Sequence, residues 1–159
     1  MKYPGMLLVG ALVFSAAASV FADGHASDKA LAAAVKARQS HMQLYAFNLA
    51  TLGAMAKGEV AYDASAAQGA ADNLVAVATL NQQGYWLPGT DSDAMENSRA
   101  LPAIWGADSN AQKIGMDLAE AAAGMQAVAG SDLASLQGAM RAVGEACSAC
   151  HEDYRKPRN

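Results

Sequence analysis

Apolar side chains recur every three or four residues along most of the chain, a spacing typical of amphipathic helices. In the first such stretch, spacings of four and three alternate without a break. Its core-type positions are Leu31, Val35, Arg38, Met42, Tyr45, Leu49, Leu52 and Ala56. Lys57 and Gly58 follow, and a cation in the last turn with glycine just beyond it is a common helix ending. The pattern predicts one long packed helix.

Three further stretches have the same periodicity. The second follows Asp63, whose side chain is suited to cap a helix, and the third is expected to be capped by Asp108. The fourth begins at Ser131 or Asp132. Its apolar face consists of Leu133, Leu136, Met140, Val143, Cys147, Cys150 and Tyr154. Residues 84–107 are rich in glycine, proline and small polar residues, so they predict one long loop. Four helices joined mostly by short turns predict an all-α fold, an antiparallel up-down-up-down four-helix bundle.

The composition agrees with a single folded helical domain. The chain has 159 residues, of which 53% are hydrophobic and 16% charged, so a disordered chain is excluded. Aromatic residues make up 6% and alanine is abundant, which favours helices over strands. The formal net charge is −4, from 11 basic and 15 acidic residues. A broad basic surface for phosphate groups is therefore lacking, and we expect no nucleic-acid partner.

The N-terminal segment resembles an export signal. Lys2 supplies a positive start, an apolar run follows from residue 6 to about residue 13, and Val20-Phe21-Ala22 is typical of a signal-peptidase site. An uncleaved membrane anchor is the alternative, but a spanning helix needs about 20 apolar residues and serines dilute this run. We predict that residues 1–22 are cleaved and that residues 23–159 form an exported domain without stable membrane insertion. Loss of Lys2 leaves ten basic against 15 acidic residues, a net charge of −5.

The two cysteines of the chain lie in Cys147-Ser148-Ala149-Cys150-His151, the C-x-x-C-H pattern of covalent c-type haem attachment. A separation of three residues puts both thiols on one side of a helix, where they can form thioethers to the two vinyl groups of one porphyrin. His151 follows Cys147 by four residues, so its imidazole lies on that side and can bind the iron. The motif predicts one covalent haem c per chain, with His151 as an axial ligand.

Three other kinds of site use similar residues. A thioredoxin-like dithiol normally begins a helix after a strand, whereas this motif ends a helix in a chain without strand signals. A structural zinc site needs a fourth ligand, and the remaining histidines, His25 and His41, have no recognisable ligand spacing. A disulfide between Cys147 and Cys150 would strain a helix. The haem interpretation is therefore preferred.

The whole mature chain resembles the class II cytochromes c, the cytochrome c′ family. Beyond the C-x-x-C-H motif, the resemblance rests on Arg38-Gln39, Ala56-Lys57-Gly58-Glu59, Tyr62-Asp63, Pro88-Gly89-Thr90, Ile104-Trp105 and Tyr154-Arg155. It implies an antiparallel four-helix bundle with haem held between the helices, a periplasmic location, and often a homodimer formed through the first two helices. The resemblance also implies that Arg38 and Gln39 contact the haem.

The sixth iron ligand is expected on the first helix. In an up-down bundle the end of helix four lies beside the start of helix one, so His151 should face Met42, whose thioether is a known axial partner of histidine. The alternative is that Met42 only fills the core. His41 lies about 100° round the helix from Met42, and we expect it at the surface. Arg38, one turn before Met42, is expected to project toward the haem propionates.

The state of Met42 separates two functions. With Met42 and His151 both on the iron, the protein would be a one-electron carrier that docks transiently with periplasmic redox partners. If Met42 does not bind, the iron is five-coordinate and open to nitric oxide or carbon monoxide. A peroxidase-like enzyme would need an acid-base group beside an open iron, for which only His41 is a candidate, so we expect no enzyme. Leu44 and Phe47 form a second apolar strip on helix one, which is either a candidate face for a homodimer or part of the flanking core.

Overall fold

The computed structural model describes residues 26–157. Its four long helices are α1 (Asp28–Ala56), α2 (Ala64–Ala78), α3 (Ala111–Val128) and α4 (Leu133–Tyr154). Successive helices pack against each other and α4 returns to α1. This arrangement confirms the predicted antiparallel four-helix bundle. The predicted signal segment, residues 1–22, lies outside the described residues. Within residues 26–157, no helix is long and apolar enough to cross a membrane.

Two short connections close one end of the bundle, which we call the turn end: residues 57–63 between α1 and α2, and residues 129–132 between α3 and α4. Gly58 ends α1 in the left-handed conformation, with φ of 73°, which glycine adopts without strain. Asp63 caps α2 by accepting a hydrogen bond from the Ala66 backbone N–H, at 2.8 Å. Asp132 caps α4 in the same way through Ser135. The cap prediction for Asp63 is confirmed, and of the two predicted starts of the fourth helix, Ser131 and Asp132, the structure selects Asp132.

Residues 79–110 close the opposite end, which we call the loop end. This connection contains two short 3-10 helices, Gln83–Tyr85 and Pro102–Trp105. The prediction that Asp108 caps the third helix is wrong: α3 begins three residues later, after Asn110, without a side-chain cap bond at that position. The Tyr154 hydroxyl instead fixes this start, because it accepts from the Asn110 backbone N–H and donates to its side chain.

The apolar core runs through the middle of the bundle and the turn end. Its largest fully buried side chains are Leu52, Leu74, Met125, Leu136 and Val143. Alanines fill much of the space between them, on α2 above all, which lets the helices approach closely. Of the four neighbouring helix pairs, α1 and α4 pack least closely.

The buried face of α1 differs from the predicted one. At two levels the helix buries the polar residue that precedes the predicted apolar position, namely His41 before Met42 and Asn48 before Leu49. Asn48 is buried because its carbonyl oxygen accepts a hydrogen bond from Asn73 on α2, at 3.0 Å. The hydrophobic pattern selected the apolar neighbour in each case, because it takes no account of polar partners on other helices.

Candidate haem-binding site

Cys147, Cys150 and His151 lie in the last two turns of α4, at the loop end of the bundle. All three side chains are partly buried, and Cys147 packs against the apolar core. No disulfide joins the two cysteines in the described part of the chain. Spacings of three and four residues put the three groups on one side of α4, as the motif predicted.

The thiols are not activated as nucleophiles. Burial is the largest cause that raises the pKa of both cysteines, and Cys147 and Asp153 raise that of Cys150 further. A reactive dithiol needs the opposite, a lowered pKa at a helix N-terminus or beside cations. Among residues 26–157, no three His, Cys, Asp or Glu side chains form a group able to hold a metal ion by themselves. The raised pKa values disfavour a reactive dithiol.

His151 lines an open groove of about 590 Å³ together with Arg99, Glu152, Arg155 and Pro157. Its pKa is lowered by burial first, and then by Arg155 and Arg99. A lowered pKa keeps the imidazole neutral, which is the form that binds a metal. The Arg155 side chain is exposed and also lines this groove.

Backbone hydrogen bonds between the loop and the chain end bring Arg99 to this groove. The Leu101 N–H donates to the Tyr154 carbonyl and the Lys156 N–H donates to the Arg99 carbonyl, both at 2.9 Å. Between them, Ala100 and Arg155 form an isolated antiparallel bridge. The Arg99 guanidinium also donates to the Lys156 carbonyl, from Nε at 3.0 Å. Arg99 is distant from the motif in sequence, so spacing alone gives no signal for its position.

On the facing helix, Tyr45 lies beside Cys147. Burial, and secondly the nearby Cys147, raise the pKa of Tyr45 to about 12, while a hydrogen bond with Gln82 opposes the shift. Tyr45 and Cys147 belong to the same packed cluster. Tyr45 on α1 and Cys147 on α4 therefore lie at a similar height along the bundle axis.

Met42 is 37% exposed and is not part of the apolar core. Met42 therefore does not fill the core between the described side chains, and its binding to the iron stays a prediction. His41 was expected at the surface, and that prediction is wrong, since its side chain is only 4% exposed. Its ring lies 5.0 Å from Tyr45 and 5.7 Å from Tyr85, between centroids, and burial lowers its pKa. Its Nε2 is buried without a hydrogen-bond partner among the described residues.

Arg38 is buried beneath the long loop and makes four hydrogen bonds to neutral groups. Nη1 donates to the Tyr85 carbonyl and to Thr90 Oγ1, and Nη2 donates to the Thr90 carbonyl and to Ser98 Oγ, at 2.9–3.2 Å. The guanidinium also lies 4.6 Å from the Trp86 ring centroid. Within residues 26–157 no carboxylate forms a salt bridge with Arg38. A buried cation without an anionic partner is unusual, and its charge would suit a haem propionate.

The neighbouring Gln39 is exposed and donates to the Asn97 carbonyl from Nε2, at 2.7 Å. Thr90, at the end of Pro88-Gly89-Thr90, is fully buried, and its hydroxyl also donates to the Leu87 carbonyl. Residues 38 and 39 thus fasten the loop to α1. The sequence pattern pointed to Arg38 and Gln39 but gave no sign that their partners are loop carbonyls and hydroxyls, because these contacts span 47 to 60 residues.

Comparison with known proteins agrees with a haem site. The family model described as Cytochrome C' matches residues 33–155. Cytochrome c-554 of Cereibacter sphaeroides is 50% identical over 123 residues, which cover 77% of this chain and 92% of that protein. A solved cytochrome c′ structure from Rhodobacter superimposes with a TM-score of 0.78 at 36% identity, over 80% of this chain and 98% of that one.

Two further solved structures of similar proteins concern a bound ligand and an oligomeric state. One is a nitric oxide complex of a variant of cytochrome c′ from Alcaligenes xylosoxidans, with 29% identity, a TM-score of 0.69, and coverage of 80% of this chain and 97% of that one. The other is a cytochrome c′ with ligand-controlled dimer dissociation, with 25% identity, a TM-score of 0.71 and the same coverage.

Proposed function

This chain belongs to the cytochrome c′ family and binds haem c covalently, and we propose that it is an exported, periplasmic one-electron carrier. In this proposal Cys147 and Cys150 form the thioether bonds, and His151 is one axial ligand. The haem iron supplies the redox chemistry when it is bound. The residues of the chain hold the ring, exclude water from one side and set the charges around it.

Met42 is the proposed second axial ligand, and the proximity of Tyr45 to Cys147 carries this proposal. Because α1 and α4 are antiparallel, one turn back along α1 from Tyr45 corresponds to one turn forward along α4 from Cys147. These steps lead to the level of His41 and Met42 on α1 and to the level of Cys150 and His151 on α4. Of the two α1 side chains, the Met42 thioether is the proposed ligand. Over their whole length, α1 and α4 pack less closely than the other neighbouring helix pairs, which supports space for a flat group between them.

Arg38 and Gln39 are proposed to face the haem edge. The buried Arg38 cation is surrounded by neutral acceptors, so a propionate would give it the anionic partner that the described residues lack. Gln39 follows on the more exposed side of α1. Their hydrogen bonds to the loop would hold both side chains in place before the haem enters.

A thioether and an imidazole on the iron suit electron transfer, because six-coordinate iron changes its ligands little between oxidation states. The Met ligand also raises the reduction potential relative to harder ligands. The chain is 50% identical to a cytochrome c-554 and 36% identical to the solved cytochrome c′. This difference supports a comparison of its function with relatives that are not named cytochrome c′.

The test is the optical spectrum of the mature haem-loaded protein, oxidised and reduced. We expect the weak near-infrared band of sulfur bound to ferric iron, and its loss in Met42→Ala. Met116→Ala is the matched control, because Met116 is exposed on α3 and 59% accessible. A wild-type spectrum of high-spin iron that Met42→Ala does not alter would reject Met42 as a ligand. Absence of covalent haem in a cell with intact maturation would reject the site.

Gas binding is the second candidate, supported by the nitric oxide complex of the related cytochrome c′ variant. It requires five-coordinate iron with Met42 beside the open position but not bound to it. Rapid carbon monoxide binding by the reduced wild-type protein would favour this function. An electron carrier with Met42 on the iron should bind carbon monoxide only slowly, and Met42→Ala should bind it much faster.

A homodimer through α1 and α2 is proposed from the ligand-controlled dimer among the solved structures. Leu44 and Phe47 are 50% and 70% exposed on α1, which supports an apolar contact there. Sedimentation under dilution should show dissociation of the wild-type protein, and Phe47→Glu should be monomeric at concentrations where the wild type is dimeric. A wild-type monomer at all concentrations would reject the dimer.

A further inference from the structure

The basic side chains at the His151 groove stand out in an acidic protein. Arg99, Arg155 and Lys156, which we call the basic patch, come together where the loop pairs with the chain end. Arg99 and Arg155 line the groove beside His151, and Arg155 and Lys156 are exposed. The chain as a whole has 15 acidic and 11 basic residues. The charge at this face is therefore opposite in sign to the charge of the molecule.

The other side of α4 has the reverse character. A groove of about 800 Å³ between α3 and α4 is lined by Asp117, Glu120 and Glu145, and no basic residue lines it. Acidic groups also occur near the basic patch, since Glu152 lines the same groove as His151. The two grooves nevertheless give α4 a positive and a negative side. Such an asymmetry orients a charged partner during diffusional encounter.

We propose that the basic patch is the docking surface for a redox partner protein with an acidic face, and that electrons enter or leave the haem beside His151. An acidic partner is repelled by the net negative charge of the molecule and attracted by the basic patch. The patch would thereby place the partner at the shortest approach to the iron ligand. The inference rests on the proposed electron-carrier function, and it adds the partner's charge and the point of contact.

The experiment uses the reduced haem-loaded protein and two small oxidants of opposite charge, ferricyanide and tris(phenanthroline)cobalt(III). Oxidation rates are measured by stopped flow across a range of ionic strength. We expect the ferricyanide rate to fall as salt is added, although the protein is negatively charged overall. In Arg155→Gln and Lys156→Gln, the ferricyanide rate at about 0.01 M ionic strength should fall on the order of threefold for each charge removed. The cobalt rate should rise in the same variants.

Lys57→Gln is the matched control for net charge. Lys57 is exposed at the turn end, next to the Ala56 carbonyl that accepts from Gln137. Gln137 precedes His151 by 14 residues on α4, a distance of roughly 21 Å along the helix. The control should change both rates by less than about 1.5-fold. The opposite response to the two oxidants separates steering from an altered reduction potential, which would move both rates in the same direction.

Two results would overturn the inference. One is a ferricyanide rate that rises with salt and is unchanged in Arg155→Gln and Lys156→Gln. The other is sedimentation of the wild-type protein, but not of these variants, with phosphatidylglycerol vesicles, which would assign the patch to a lipid surface. Neither result depends on whether Met42 binds the iron, because both reagents also oxidise five-coordinate iron. Failure of the docking inference is therefore distinct from failure of the electron-carrier function.

Discussion

The turn end and the loop end of the bundle are closed by different kinds of interaction. At the turn end, the hydrogen bonds join residues that are close in sequence. Asp63 caps α2 and Asp132 caps α4, each by accepting from a backbone N–H three residues further on. At the loop end, Arg38 donates hydrogen bonds to residues that follow it in the sequence by 47 to 60 positions. The long loop also pairs with the chain segment that follows α4.

This difference determines where chemistry can be built. A local cap needs only one suitable residue, and it leaves nothing buried that another molecule could use. The long-range contacts of the loop end bury a cation and a histidine, and they assemble Arg99 and Arg155 around His151. A binding site therefore forms at the end that is held by contacts between distant residues.

The largest expected effect on stability is that of Arg38→Ala. The substitution removes four hydrogen bonds and leaves the Tyr85 and Thr90 carbonyls without this donor, so we expect a loss of roughly 3 kcal/mol in the free energy of unfolding. Urea unfolding of the haem-loaded protein measures it. Arg38→Lys should lose less, since it keeps the charge but not the planar fork. A loss below about 1 kcal/mol in Arg38→Ala would contradict the role of Arg38 in holding the loop.

Ser98→Ala should have an intermediate effect. Ser98 Oγ donates to the Thr90 carbonyl at 2.7 Å and accepts from Arg38, within a buried site. We expect a loss of about 1.5 kcal/mol, and in Arg38→Ala the same change should cost less, because the two side chains act together. A double-mutant cycle by urea unfolding checks the coupling, and strictly additive losses would show that the two side chains act independently.

Asp63→Ala tests the turn end. It removes one cap bond, so the expected loss is about 1 kcal/mol, smaller than that of Arg38→Ala. Asp63→Asn should retain most of the stability because its side chain still accepts the bond. The measurement is again urea unfolding, and a loss in Asp63→Ala equal to that of Arg38→Ala would remove the distinction between the two ends.

The two ends should also respond at opposite extremes of pH. Hydrogen bonds from Ser135 lower the pKa of Asp132 below 3.8, so its contribution is complete above that pH and is lost as the pH falls through the folded value. Near the loop end, the pKa of Tyr45 is raised from 10.0 to about 12, so its contribution is complete below pH 10 and is lost as the pH rises toward 12.

Unfolding by urea across this pH range distinguishes the two groups. Asp132→Asn should weaken the dependence of stability on acid pH, and Tyr45→Phe should weaken the dependence on alkaline pH. Each variant serves as the control for the other. If each variant weakened the acid and the alkaline dependence of stability equally, the assignment of the two pKa shifts to Asp132 and Tyr45 would be contradicted.

The roles of residues at the turn end were easier to predict from the sequence than the roles of residues at the loop end. Asp63, Asp132 and Gly58 were predicted correctly because capping and left-handed turns depend on neighbouring residues. The prediction for His41 was wrong, because its burial depends on Tyr45 and on Tyr85 from the long loop. Asp108 failed as a cap because Tyr154, from the far end of the chain, fixes the start of α3.

The sequence by itself determined four helices, their order and the haem-attachment motif, because periodicity, caps and the C-x-x-C-H spacing act over a few residues. Only the tertiary structure decided that Arg38 binds the loop, that Tyr45 lies beside Cys147 and that Arg99 reaches His151. Those contacts join residues far apart in sequence, and each depends on how α1, α4 and the loop pack together. The free energy that selects such an arrangement belongs to the whole fold, so no local pattern records it.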